Sequence, residues 1–193
     1  MKIIGGEWRG RNFFIPEGIR PTQNIVRKAI FDICGQELDG KICLDLFAGS
    51  GAMGLEALSR KAKKVVFVEK DEHCLGILLK NIELFGGELT PESVKRYEIL
   101  RLDGFAAVKH LYKEKREFDM VIIDPPYGRD LGKKALKVFS AYDILHPNCV
   151  VIIEHHRRDF LPEQAGELTL SKRRTYGTTS VSIFQKNILP ESE

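Results

Sequence analysis

The sequence predicts an open, doubly wound α/β sheet with an antiparallel hairpin at its C-terminal end and a small hairpin-and-helix extension at its N-terminus. Three observations carry this. Short, near-continuous apolar runs alternate with amphipathic stretches of helical length, as in parallel strands covered on both faces by crossover helices. Leu44-Asp45-Leu46-Phe47-Ala48-Gly49-Ser50-Gly51-Ala52-Met53-Gly54 sets a G-x-G-x-x-G between the first such strand and the helix after it. Only Gly177 separates the strand-like runs Leu168–Tyr176 and Thr178–Phe184, which leaves no room for a crossover helix and demands a hairpin.

Taken in order, Lys2–Ile4 and Asn12–Ile15 are expected to pair around Gly5, Gly6 and Gly10. Thr22 can cap a helix running to about Cys34. Its apolar stripe is expected to be Ile25, Val26, Ala29, Ile30 and Ile33, with Arg27 and Lys28 turned elsewhere. Strands are expected at Ile42–Asp45, Lys64–Glu69, Tyr97–Leu102, Met120–Asp124 and Cys149–Glu154. Helices are expected at Gly51–Arg60, Glu72–Phe85, Phe105–Glu114 and Leu131–Tyr142. The implied organisation is a basic N-terminal part over 1–36, a main domain over 37–186 and a frayed tail over 187–193.

The 193 residues suffice to bury a full core, and 43% hydrophobic with 30% charged residues is ordinary for a soluble protein. No apolar stretch approaches a membrane span and the opening Met1–Gly6 is no signal peptide. A cytoplasmic protein is expected, and one that acts as a monomer. Cys34, Cys43, Cys74 and Cys149 are scattered, as buried thiols would be. Glu154-His155-His156 is not expected to hold a metal, since adjacent strand residues face opposite ways. A net charge of +3 decides little. Over Met1–Ile30, however, Lys2, Arg9, Arg11, Arg20, Arg27 and Lys28 outnumber Glu7 and Glu17, and Trp8, Phe13 and Phe14 lie among them. Such a segment suits a phosphate backbone with unstacked bases; a solvated hairpin with its aromatics on the core fits as well.

Asp45 narrows the meaning of the glycine loop. A dinucleotide lays its pyrophosphate on such a turn, where a carboxylate would repel it. S-adenosylmethionine carries an ammonium and a sulfonium and no phosphate, so it is the cofactor this pattern favours. Glu69 ends the second strand where an acid can accept both ribose hydroxyls. Asp103, after the third strand, can accept from the adenine amino group. The plain alternative is a set of loop acids and helix caps; acids at three successive strand ends weigh against it.

The fourth strand ends in Asp124-Pro125-Pro126-Tyr127. A planar amino group on a nucleobase is a poor nucleophile, because its lone pair is delocalised into the ring. Two acceptors can hold its hydrogens, pull the nitrogen toward tetrahedral geometry and aim the lone pair at a methyl group. Asp124 can supply one acceptor and the Pro125 carbonyl the other. The prolines stiffen the turn, and Tyr127 offers a stacking face worth about 1–3 kcal/mol per base.

DLFAGSGAMGLEALSR together with DPPY resembles the amino-directed S-adenosylmethionine methyltransferases. With IIGGEWRGRNF, RPTQNIVRKAIFD and the ending RRTYGTTSVSIFQ, nearly the whole chain resembles the RsmD family, bacterial enzymes acting on the exocyclic N2 of a guanine in 16S ribosomal RNA. The resemblance implies a Rossmann-like, seven-stranded class I methyltransferase sheet. Its implied acceptor is the family's guanine-966 site in 16S rRNA, presented in the 30S subunit or its assembly intermediate. It implies cofactor contacts at Asp45, Phe47, Ala48, Gly49, Ser50, Gly51, Glu69, Lys70, Asp103 and Gly104, and a catalytic loop over Asp124, Pro125, Pro126 and Tyr127. Candidate RNA contacts are Trp8, Arg9, Arg11, Arg20 and Arg129, although Trp8, Arg9 and Arg11 can equally anchor the hairpin. Gly128–Lys134 reads either as a lip gripping RNA phosphate or as a solvated loop. One departure is the stretch FGGELTPESVKR, longer than the family pattern. DPPY chemistry also serves DNA adenine or cytosine and protein glutamine, but the remaining length hardly admits a target-recognition domain. A non-catalytic RNA-binding factor would not need the intact loop.

Overall fold

The computed structural model describes residues 1–17, 24–85, 96–126 and 130–186. The expected Thr22 cap, Arg20, the inserted stretch after Phe85, Tyr127, Arg129 and the tail lie outside them. Among the described residues, five helices and eight strands follow one another as α1 (Asn24–Cys34), β1 (Ile42–Asp45), α2 (Ala52–Ser59), β2 (Lys64–Val68), α3 (Glu72–Phe85), β3 (Tyr97–Leu100), α4 (Gly104–Lys113), β4 (Phe118–Ile123), α5 (Leu131–Ala141), β5 (Leu145–His156), β6 (Gln164–Ala165), β7 (Leu168–Tyr176) and β8 (Thr179–Lys186).

The strands form one sheet in the order β3-β2-β1-β4-β5-β8-β7-β6. The first five of these are mutually parallel, and β8, β7 and β6 add antiparallel pairs. This is the expected methyltransferase sheet, with the hairpin β7–β8 joined to β5. The two-residue β6 makes an eighth strand that the sequence reading lacks. Strand order reverses between β1 and β4, and open α/β sheets bind ligands at such a point, beyond the carboxyl ends of the strands.

Alternation along the strands divides the core. Cys43, Val65, Phe67, Met120, Ile122, Ile152, Val181 and Ile183 face α1, α2, α3 and the N-terminal segment. Leu44, Val66, Val68, Val121, Ile123, Val151 and Ile153 face α4 and α5. Both layers are apolar because β1, β2, β4 and β5 are covered on both sides.

The N-terminal segment is built into the first layer. Lys2 and Asn12 form a single antiparallel bridge, and Ile3 and Phe13 are core residues. The α1 stripe differs from expectation: Val26, Arg27, Ile30 and Phe31 are buried, whereas Ile25 is 58% exposed. Arg27 goes inside because α2 presents a fully buried acid there. Its Nη1 lies 3.7 Å from Glu56 Oε2, and Arg60 Nη2 reaches Glu56 Oε1 at 3.1 Å. Glu56 also accepts the Ile4 N–H at 3.0 Å, and Arg27 donates to the Lys2 carbonyl at 2.8 Å. Burial pulls the Arg27 pKa down from its ordinary value, and Glu56 opposes that shift. One of the six N-terminal cations is therefore an internal counter-ion and contributes nothing to the surface.

Candidate active site

A cavity of about 740 Å³ opens at the carboxyl edge of the sheet, over the point where strand order reverses. Each of the five parallel strands brings an acid to it. Asp103 follows β3, Glu69 follows β2, Asp45 ends β1, Asp124 follows β4 and Glu154 lies on β5; all five line the wall.

Glu69 holds the glycine loop. Its Oε2 accepts the Gly49 N–H at 2.8 Å, while Oε1 accepts the N–H groups of Lys70 and Asp71 at 2.8 Å each. These bonds fix the carboxylate at the rim, and each oxygen accepts at more than one lone pair, so a ribose hydroxyl can still donate to Oε2. Asp103 caps α4 by accepting the Phe105 N–H at 3.0 Å, and its Oδ2 meets Lys70 Nζ at 3.0 Å. Partial burial pushes the Asp103 pKa up, but the bonds from Lys70 and Phe105 outweigh it and hold the group below its ordinary value. Lys70 thus meets the cavity as the partner of Asp103.

Asp45 is 1% exposed, and its Oδ2 accepts the Gly54 N–H at 2.9 Å. Burial, with Asp124 and Glu69 nearby, pushes its pKa up to about 7 despite that bond. Such a carboxyl favours a cationic ligand. The folded pKa lies above the ordinary 3.8, so ionising Asp45 costs stability as pH rises toward 7, and a bound cation relieves that cost. Affinity for a sulfonium-ammonium ligand should therefore rise by up to about tenfold per pH unit below 7 and level off above it. Titration calorimetry across this range checks the slope, which Asp45→Asn should flatten.

Phe47, Ala48, Gly49, Ser50 and Gly104 line the cavity beside these acids. Phe47 meets Phe105 edge-on at 5.7 Å and covers Gly104, where an added Cβ would come 2.9 Å from the Phe47 ring. Gly51, expected as a cofactor contact, does not line the wall. It caps α2 with φ +83°, and a Cβ there would lie 2.5 Å from Leu78 Cδ1. Gly54 likewise packs inward, with Phe67 Cε1 at 2.1 Å from a Cβ. Phe67 is fully buried in β2 and cannot retreat. Gly54→Ala should destabilise the protein by about 1–3 kcal/mol in urea unfolding, despite the better helix propensity of alanine.

Half-buried Asp124, buried Pro125 and exposed Pro126 stand beyond Asp45, all on the cavity wall. Leu131 and Lys134, from the stretch read as a lip or a solvated loop, join them there, as do Pro16, Glu154 and Thr179, which were not expected as site residues. Lys134 belongs to α5, with Nζ 4.4 Å above the Phe105 ring, and Lys133 pairs with Asp130. Glu154 carried a legible signal: the apolar run Val150–Ile153 ends in a carboxylate, as the runs before Asp45 and Asp124 do. The buried His155 bonds through Nε2 to Ser182 Oγ at 2.9 Å. Among the described residues no group of three metal-ligating side chains occurs, and no helix is long and apolar enough to cross a membrane.

The N-terminal candidates lie apart from the cavity. Trp8 stacks on Phe85 of α3 at 4.8 Å, and Arg11 sits over the same ring while donating to the Leu84 carbonyl at 2.9 Å. Both therefore anchor the hairpin. Arg9 is exposed.

Comparison with known proteins agrees with this geometry. The family model "Conserved hypothetical protein 95" matches residues 1–185. The Haemophilus influenzae ribosomal RNA small subunit methyltransferase D is 33% identical, over 96% of this chain and 93% of that protein. Its Escherichia coli counterpart is 29% identical, over 100% and 93%. Among solved structures, an E. coli protein described as a candidate methyltransferase, yhhF, superposes with a TM-score of 0.81 at 28% identity, covering 96% of this chain and 97% of that one.

Proposed function

The chain belongs to the conserved hypothetical protein 95 family and to that of ribosomal RNA small subunit methyltransferase D, and from that membership we propose that it methylates the exocyclic N2 of one guanine in 16S rRNA. It is a methyltransferase, and its methyl donor is S-adenosylmethionine. The donor set fits: acids at the tips of β3, β2 and β1 suit an adenine amino group, a ribose and a cationic amino-acid head. When bound, the donor supplies an electrophilic methyl on sulfur. The proposed acceptor is the family's guanine-966 site, presented in the 30S subunit or an assembly intermediate by a cytoplasmic enzyme acting as a monomer.

The observation that carries the reading is the single-file order of acids across the sheet, with Asp124 next in line after Asp45. In this reading Asp103 accepts from the adenine amino group and Glu69 from the ribose, while Asp45 faces the ammonium. Asp124 and the Pro125 carbonyl hold the N2 hydrogens of the guanine, aiming its lone pair at the methyl. Pro126 stiffens the turn, and Tyr127 stacks on the base. Arg9, Arg20 and Arg129 meet RNA phosphates. The rate advantage is alignment, since orienting two bound reactants supplies roughly 7–11 kcal/mol of barrier lowering.

The test is transfer from tritiated donor to 30S particles, free 16S rRNA, DNA and release factors, with nucleoside analysis of the product. The reading predicts N2-methylguanosine from ribosomal RNA or particles. Label on DNA or on protein glutamine alone would replace it with another amino acceptor.

A further inference from the structure

We infer that Glu154 reads the acceptor base by accepting the N1–H of guanine, and so makes the site selective for guanine over purines whose N1 is an acceptor. The inference rests on the guanine-N2 reading above and adds a specificity residue to it. In the register of β4 and β5, Ile122 pairs with Ile152 and Ile123 with Ile153. Carried one step further, it sets Asp124 beside Glu154, with strands about 4.8 Å apart and paired side chains on one face. That is the face of Asp45, because Asp45 pairs with Ile122 and side chains alternate along a strand.

Glu154 is 5% exposed yet lines the cavity beside Thr179. It lies on the far side of Asp124 from Asp45, since the sheet runs β1-β4-β5. If the donor spans β3, β2 and β1, its methyl faces β4, and the next strand belongs to the acceptor. The guanine edge that carries N2 also carries the N1 hydrogen, adjacent and pointing the same way. With Asp124 at the N2 hydrogens, a carboxylate on the neighbouring strand faces N1–H. Adenine and 2,6-diaminopurine present a lone pair at N1, which a carboxylate repels. Sites that hydrogen-bond a substrate group discriminate strongly against analogues lacking it.

The test uses small subunits reconstituted with 16S RNA carrying guanine or 2,6-diaminopurine at the target position. Both bases keep the 2-amino group and differ in N1 polarity. Wild-type enzyme should methylate diaminopurine at least about 100-fold more slowly than guanine. Glu154→Gln, whose amide can donate to a bare N1, should narrow that ratio by at least tenfold while leaving the Kd for S-adenosylmethionine unchanged. Equal wild-type rates on the two bases would overturn the inference without recourse to any variant, and would leave the guanine-N2 reading standing. A Glu154→Gln enzyme slowed equally on both would also overturn it. Absence of N2-methylguanosine from the wild-type reaction on guanine would remove the function and the inference with it.

Discussion

Asp124→Ala will leave the fold and the affinity for S-adenosylmethionine intact and lower methyl transfer by roughly 10²- to 10³-fold, the usual scale for losing one preorganised polar contact to the reacting group. Asp124 is half-buried at the end of β4, held between Ile123 and two prolines, so truncating it opens no core cavity. On the proposed mechanism, what is lost is one of two acceptors that orient the amine. Asp124→Asn separates orientation from base catalysis. An asparagine carbonyl still accepts one N–H but cannot take a proton, so the orientation account places this variant well above alanine. Single-turnover rates at saturating donor, with donor Kd measured separately, check both. Equal rates for asparagine and alanine would point to proton abstraction.

Glu56→Ala will destabilise the protein by about 3–5 kcal/mol, because it strands buried charges. Glu56 is fully buried between Arg27, with no exposed surface, and Arg60, at 4%. Arg27 keeps its bonds to the Lys2 carbonyl and Asn24 but loses its counter-ion, and the Ile4 N–H loses its acceptor. For a chain of this size the thermal midpoint should fall by roughly 10 °C. Asp32→Ala is the control. It removes a pair with Lys28, whose side chains are 36% and 70% exposed, and should move the midpoint by no more than about 1 °C. A midpoint for Glu56→Ala near wild type would mean that water reaches the two guanidinium groups.

The parallel part of the sheet was legible because its strands are buried on both faces and read as unbroken apolar runs. Ile42–Asp45 and Glu72–Phe85 stand where the pattern puts them. The antiparallel pairing of β7 with β8 followed from the one-residue gap at Gly177. Arg27 was misplaced for a physical reason. A periodicity argument sends every charge to solvent, and nothing along α1 reveals that a helix some thirty residues later brings Glu56 into the core. β5 begins at Leu145, ahead of the expected Cys149, because pairing of Leu145 with Phe118 overrides the turn-like His-Pro-Asn.

Within the site, the strand-end acids were readable one by one, but their order across the sheet was not, since it depends on topology. Glu154 shows the cost of that. Its neighbours His155 and His156 raised a metal question, whereas the fold puts it on the cavity wall with Asp124. Gly51 shows the converse, a motif glycine that serves packing beneath the loop.

The most direct measurement is a crystal structure with S-adenosylmethionine bound. The account predicts adenine at Asp103, ribose at Glu69 and ammonium beside Asp45. It also predicts the methyl turned toward Asp124, where an acceptor nitrogen can approach within about 3–3.5 Å. A donor lying across the sheet with its sulfur directed back toward β3, out of reach of any base held at Asp124, would contradict it.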